Sequence, residues 1–142
     1  MDKIMALDVG TKTIGIAKGF VESKMVFPIS TLKRQSVKKD SIRISEICNK
    51  EGIEGIVVGL PLQADGTEGR MARLARQVAD AVHGLTQISI FYQDESDSSL
   101  EAQERLYEAG RHTVTHKAVI DQEAAMIILE RWLREGNGTN PS

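Results

Sequence analysis

Residues 3–17 decide the fold of this chain and read Lys3-Ile4-Met5-Ala6-Leu7-Asp8-Val9-Gly10-Thr11-Lys12-Thr13-Ile14-Gly15-Ile16-Ala17. Two apolar runs separated by a glycine turn are typical of consecutive strands rather than of a helix. One carboxylate, Asp8, lies inside the first run. Because ionised aspartate is rarely buried without compensation, Asp8 is either a solvated strand end or a ligand for a cation or a phosphate-linked metal.

The composition of the whole chain is that of an ordinary globular protein. Its 142 residues fit one domain, which we place at residues 1–135, followed by a flexible tail at 136–142. A formal charge of −2 supplies no global field for nucleic acid, so such binding would need a local patch. The single cysteine, Cys48, argues against an internal disulfide or a cysteine-rich zinc site. With no apolar run of membrane-spanning length and no signal-peptide pattern, we expect a cytoplasmic protein without a membrane partner.

Hydrophobic periodicity along the chain predicts an α/β fold with a mixed five-stranded sheet and helices on both faces. A three-stranded meander precedes helix–strand units, which gives the predicted order βββαβαβα. Pro28 would remove a ladder hydrogen bond from the third strand, which suits a sheet edge. The predicted strands lie at 3–9, 14–18, 25–32, 53–61 and 88–92, and the predicted helices at 36–50, 68–83, 98–110 and 121–133.

Acidic residues occupy three special positions in this pattern. Asp8 lies within the first strand, Asp94 and Glu95 end the last strand, and Asp121 begins the last helix. Ligands of open α/β sheets gather beyond the carboxyl ends of strands. Asp8 and Glu95 would therefore converge if their strands are neighbours, and the last helix could bring Asp121 to them. Two carboxylates about 4 Å apart repel by roughly 4 kcal/mol at an effective dielectric near 20, so the cluster would raise its pKa values or recruit cations.

Such a cluster favours metal-assisted hydrolysis of a phosphodiester. Hard oxygen ligands prefer Mg²⁺ or Mn²⁺. Two such ions about 4 Å apart can activate water and stabilise the leaving oxygen. Each acid also has a structural explanation. Asp121 alone would more often be a helix N-cap, Asp94 and Glu95 could form a solvated loop, and the arginines at 70, 73 and 76 would be a solvated helix face unless they flank the acids.

Two segments make the chain resemble the YqgF family, also called RuvX, of the ribonuclease H-like superfamily. The first is residues 7–17, and the second is Gly59-Leu60-Pro61-Leu62 followed by Asp65-Gly66-Thr67-Glu68-Gly69, which is the more specific. The resemblance runs from Met5 to Leu133. It implies a ribonuclease H-like nuclease that matures the 5′ end of pre-16S ribosomal RNA in a pre-ribosomal particle, or one that resolves Holliday junctions.

The resemblance also assigns roles to residues by position. It makes Asp8, Glu95 and Asp121 the catalytic metal ligands for Mg²⁺ or Mn²⁺, with Asp94 as a second-rank ligand. Contacts to structured RNA are expected from basic residues around them. The candidates for substrate binding are Lys12, Arg70, Arg73, Arg111 and Lys117.

The chain departs from the family pattern beside these acids. Thr13 stands where the family usually has arginine, Gly19-Phe20 replaces Ser-Asp, and Ser96-Asp97-Ser98-Ser99 replaces Arg-Leu-Thr-Thr. A lost arginine is a lost phosphate contact, so the departures concern substrate affinity or choice. They keep two alternatives to an RNA endonuclease open, namely a branched-DNA nuclease and a catalytically weak RNA- or ribosome-binding module. We expect a monomer or weak homodimer.

Another family also carries Asp-Val-Gly-Thr in its first turn. Actin-like and sugar-kinase ATPases use it as a phosphate loop on the same sheet topology. They enclose nucleotide with a second lobe that 142 residues cannot supply, so ATP binding is the less favoured hypothesis.

Overall fold

The computed structural model describes residues 1–96, 98–110 and 117–135. The element order among the described residues is βββαβαβαα: the predicted order βββαβαβα is one helix short, although helices were predicted at both places where α3 and α4 lie. Within the described residues, no helix combines the length and apolar character that a membrane crossing requires. The elements are β1 (Lys3–Val9), β2 (Thr13–Phe20), β3 (Val26–Lys33), α1 (Val37–Glu51), β4 (Gly55–Leu60), α2 (Arg70–Thr86), β5 (Ser89–Asp94), α3 (Ser98–Glu108) and α4 (Lys117–Arg134).

The five strands form one mixed sheet in the order β3-β2-β1-β4-β5. β1 pairs antiparallel with β2 and parallel with β4, and β4 pairs parallel with β5. The predicted edge position of β3 is confirmed, and the register shifts opposite Pro28, between Ile16 and Ala17. Because β1, β4 and β5 are parallel, their carboxyl ends lie at the same end of the sheet.

Helices cover both faces of the sheet, as predicted. On one face, α1 and α2 pack over a core that includes Leu7 and Ile16. On the other, Ile128 and Trp132 of α4 pack over Ile4, which belongs to β1. Successive side chains of a strand point to opposite faces, so Asp8 follows Ile4 and Ala6 on the α4 side. This alternation brings the first predicted acid to the helix that carries the last one.

Local signals set some helix ends correctly and others wrongly. Ser36 caps α1 by accepting the Lys39 N–H at 3.1 Å, and Gly52 ends that helix at φ 69°. The prediction that Asp121 begins the last helix is wrong. α4 begins at Lys117, so Asp121 lies one turn inside the helix, where it pairs with Lys117. The predicted end of α2 near Gly84 is also wrong, because the helix continues to Thr86.

Candidate active site

Three of the predicted acids line one cleft beyond the carboxyl ends of the parallel strands. The cleft has a volume of about 540 Å³. Asp8 comes from β1, Glu95 from the residue after β5, and Asp121 from α4. The cleft also has an apolar lining, which includes Val9, Pro61, Leu62, Met71 and Leu100.

A glycine on β2 allows α4 to approach Asp8. Gly15 is the register partner of Asp8, and a β-carbon at Gly15 would lie 2.1 Å from the backbone oxygen of Asp121. Any larger residue would therefore push the helix off the sheet. The close contact places Asp121 beside Asp8, although the two residues are 113 positions apart along the chain.

A second glycine makes room for Glu95. A β-carbon at Gly59 of β4 would lie 2.9 Å from Glu95 Oε2 and 2.5 Å from Ile128 Cδ1. The Glu95 side chain can therefore lie over β4, the strand between its own strand and β1. This is why the first residue after β5 reaches a carboxylate on β1.

The side chains of Asp8 and Glu95 interact, and each shifts the pKa of the other. Burial, followed by the nearby Asp8 charge, raises the pKa of Glu95 to about 10. Burial also raises the pKa of Asp8, an effect that the Asp121 charge reinforces and the hydrogen bond from Glu95 opposes. At neutral pH these two carboxyl groups are therefore expected to share one proton.

Asp121 is held by two side chains of the protein. It is only 3% exposed. Its Oδ2 accepts the hydroxyl of Thr13 at 2.5 Å, and its Oδ1 accepts the ammonium of Lys117 at 2.6 Å. Sequence reasoning counted Thr13 only as a departure and missed its contact with Asp121. Its place directly after the glycine turn was the one available signal.

The chemistry of this donor set fits a divalent cation. Three carboxyl groups supply hard oxygens, and the half-buried Asp8 and Glu95 repel each other when both are charged, which a metal ion would offset. Among the described residues, no three acids, histidines or cysteines already have the spacing of a metal site. Coordination by all three acids would therefore require some of these side chains to rotate within the cleft.

Asp94 is not among the residues that line the cleft. It is exposed, and its Oδ1 accepts the N–H of Ser96 at 3.0 Å and the Ser96 hydroxyl at 2.7 Å. Its negative charge helps to raise the pKa of Glu95. Asp94 thus caps a turn and acts on the acids through its charge.

The basic candidates divide between the cleft and its surroundings. Lys117 lines the cleft. Arg70, Arg73 and Thr11 line a separate hollow of about 240 Å³. Met71 lines both this hollow and the cleft. Arg76 of the same helix is bound to Glu68 and lies over Tyr92. Exposed Lys12 lies in the β1–β2 turn, and Arg111 is outside the described residues.

Comparisons with known proteins extend over nearly the whole chain. A family model described as "RuvX: Holliday junction resolvase" matches residues 2–135. Proteins of Salmonella enteritidis PT4 and Salmonella gallinarum, each named "Putative pre-16S rRNA nuclease", are 34% identical over 135 residues, covering 95% of this chain and 98% of theirs.

Solved structures show the same fold. Thermus thermophilus RuvC matches with a TM-score of 0.60 at 11% identity, over 99% of both chains. T. thermophilus RuvC in complex with a Holliday junction substrate gives a TM-score of 0.61 at 14% identity, over 96% of this chain and 97% of that chain. The predicted ribonuclease H-like fold is confirmed.

Proposed function

The chain belongs to the RuvX family, and on that premise we propose that it is a divalent-metal-dependent endonuclease that matures the 5′ end of pre-16S ribosomal RNA in the cytoplasm. The observation that carries this proposal is the convergence of Asp8, Glu95 and Asp121 in one cleft. The relatives named for this substrate match end to end, which supports the choice of RNA. Its partner would be a pre-ribosomal particle that presents the precursor.

We assign the binding of Mg²⁺ or Mn²⁺ to Asp8, Glu95 and Asp121. When bound, such ions supply an activated water and neutralise charge on the leaving oxygen. Glu95 would give up the proton that it shares with Asp8, and Asp121 would exchange the Lys117 ammonium for the cation. Asp94, whose carboxylate caps the Ser96 turn, would modulate the site by charge rather than by coordination.

We assign phosphate contacts to two groups of basic residues. The first is Lys117, which lines the cleft and pairs with Asp121. Once released from Asp121, its ammonium would be free to contact a phosphate. Lys12, Arg70 and Arg73, which we name the basic shelf, would bind the strand as it leaves the cleft over Met71. Such a local patch is what a chain of formal charge −2 needs to bind nucleic acid. Arg111 remains a candidate from its position in the sequence.

Cleavage of branched DNA is a second candidate, because the matching family model is described as a Holliday junction resolvase. A nuclease of this fold needs the same acids for either substrate. The two candidates therefore differ in the substrate, which the test below compares directly.

The test is cleavage of a labelled precursor RNA that carries the 5′ extension, with Mn²⁺ or Mg²⁺, beside a four-way DNA junction. The unmodified protein should cut the RNA. Asp8→Asn should abolish cutting while the retained RNA binding is measured by gel shift. Asp80→Asn is the matched control, because Asp80 is an exposed acid on α2. Binding without cleavage of either substrate by the unmodified protein would instead support a binding module.

A further inference from the structure

Glu95 lies in a short segment that belongs to neither a strand nor a helix. It follows β5 and precedes α3. Its N–H donates to the Leu60 carbonyl at 3.4 Å, and its carbonyl accepts the Ser98 N–H at 3.0 Å. The first of these hydrogen bonds is long. Besides these two bonds, the described contacts of this segment are the local cap of Asp94 on Ser96 and the contacts of a distant residue.

That residue is Arg131 of α4, which binds the backbone on both sides of Glu95. Its Nη1 donates to the carbonyl of Ser96 at 2.9 Å and to that of Asp94 at 3.4 Å. Its Nη2 donates to Glu101 Oε1 of α3 at 3.1 Å. The Arg131 side chain is only 16% exposed, so these contacts are partly shielded from water.

We propose that Arg131 is a positioning residue for the candidate active site: it fixes the backbone from which Glu95 projects into the cleft that Asp121 also lines. The same helix, α4, carries Asp121 as well as Arg131. The planar guanidinium suits the task because it directs several N–H groups to separate acceptors, which a lysine ammonium on a flexible stem does less well. This inference rests on the proposed function, because metal binding is the reason why Glu95 would need a fixed position.

The competing explanation is that Arg131 only joins α3 to α4. The chain contains a matched case, Arg105 of α3, which pairs with Glu123 and Glu130 of α4 at 2.5 Å each. Those contacts also join the two helices, but they do not involve residues 94–96. Comparing Arg131 with Arg105 therefore separates positioning of Glu95 from helix packing.

The experiment measures Mn²⁺ affinity by electron paramagnetic resonance, and stability by urea unfolding in chelator. Arg131→Ala should weaken Mn²⁺ binding about 10- to 100-fold, as loss of an outer partner of a metal ligand does. Arg131→Lys should retain most of the stability but recover little of the affinity. Arg105→Ala, and Glu101→Ala, which removes only the α3 contact of Arg131, should bind Mn²⁺ within two-fold of the unmodified protein.

Two results would overturn the proposal. One is unchanged Mn²⁺ affinity in Arg131→Ala, or in Arg131→Lys if the alanine variant does not fold. The other is an equal loss in Arg105→Ala, which would make the effect one of helix packing. If the unmodified protein binds no Mn²⁺ through Asp8, the proposed function fails instead. A crystal structure of metal-free Arg131→Lys then decides the positioning role, because an undisplaced Glu95 would refute it.

Discussion

Gly15 and the backbone of Asp121 are in direct contact, so close that a β-carbon on the glycine would lie 2.1 Å from the aspartate carbonyl oxygen. This contact packs α4 closely against β2. It thereby sets the position of Asp121 relative to Asp8, the register partner of Gly15. One glycine without a side chain thus links the packing of the sheet to the geometry of the candidate active site.

Gly15→Ala is expected to lower stability and weaken metal binding together. The added methyl must displace the α4 backbone, and overpacking of this kind costs about 1–3 kcal/mol. Urea unfolding and Mn²⁺ titration measure the two effects. Gly84→Ala is the control, because Gly84 is inside α2 with open space around its β-carbon position, and alanine there should stabilise by about 0.5–1 kcal/mol. A stable Gly15→Ala variant with normal Mn²⁺ affinity would contradict the packing argument.

Without metal, Glu95 should make stability fall as pH rises. Its pKa is about 10 in the folded protein against an ordinary value of 4.5. Its contribution is therefore fully present below about pH 4.5 and is lost progressively as pH rises towards 10. Urea unfolding between pH 5 and 9 in chelator measures this slope, and Glu95→Gln should flatten it. Exposed Glu108→Gln should leave the slope unchanged, whereas a flat profile in the unmodified protein would refute a shared proton.

Replacing Lys117 by methionine is expected to have opposite effects on metal binding and catalysis. Its ammonium competes for Asp121 Oδ1 at 2.6 Å, but the side chain is 67% exposed, and exposed i,i+4 pairs contribute only about 0.3–0.5 kcal/mol. Mn²⁺ should therefore bind roughly two-fold more tightly to Lys117→Met, while RNA cleavage slows. Exposed Lys38→Met serves as the control. Weaker Mn²⁺ binding in Lys117→Met would show that the lysine supports the site rather than competing for it.

The basic shelf is expected to contribute salt-dependent RNA affinity. Removing each phosphate contact should lower the slope of log affinity against log salt by about one. Gel shifts from 50 to 200 mM salt with Arg70→Ala/Arg73→Ala should therefore give a slope smaller by about two. Exposed Arg134, at the end of α4, provides the alanine control. An unchanged slope in the double variant would exclude both arginines from the RNA interface.

Cys48 should report on unfolding rather than on the native surface. The thiol is 2% exposed, and burial raises its pKa to about 11. At pH 8 a thiol reagent should react with it only when the protein opens, so the labelling rate should follow the urea dependence of unfolding. The urea-denatured chain, which should react at once, is the reference. Rapid labelling under native conditions would show that the α1 core opens locally.

Local sequence determined the elements of this protein and several of their ends. The apolar runs of β1 and β4, the stripe of α2, the Ser36 and Gly52 caps and the edge position of Pro28 all follow from neighbours within one or two turns of chain. Together with the family resemblance, these patterns led to the fold. They also singled out Asp8, Glu95 and Asp121, whose catalytic roles remain predictions.

Only the tertiary structure decided what these residues contact. Thr13 meets Asp121 across 108 positions, and Arg131 meets the carbonyls beside Glu95 across 35 and 37. No local pattern encodes such pairs, because they depend on strand register, on the seat of α4 over Gly15 and on the direction of each side chain. For the same reason Arg70 and Arg73, although predicted together with the acids, lie in a neighbouring hollow. Periodicity determines which face of an element is buried, whereas packing between distant elements determines which side chains on that face meet.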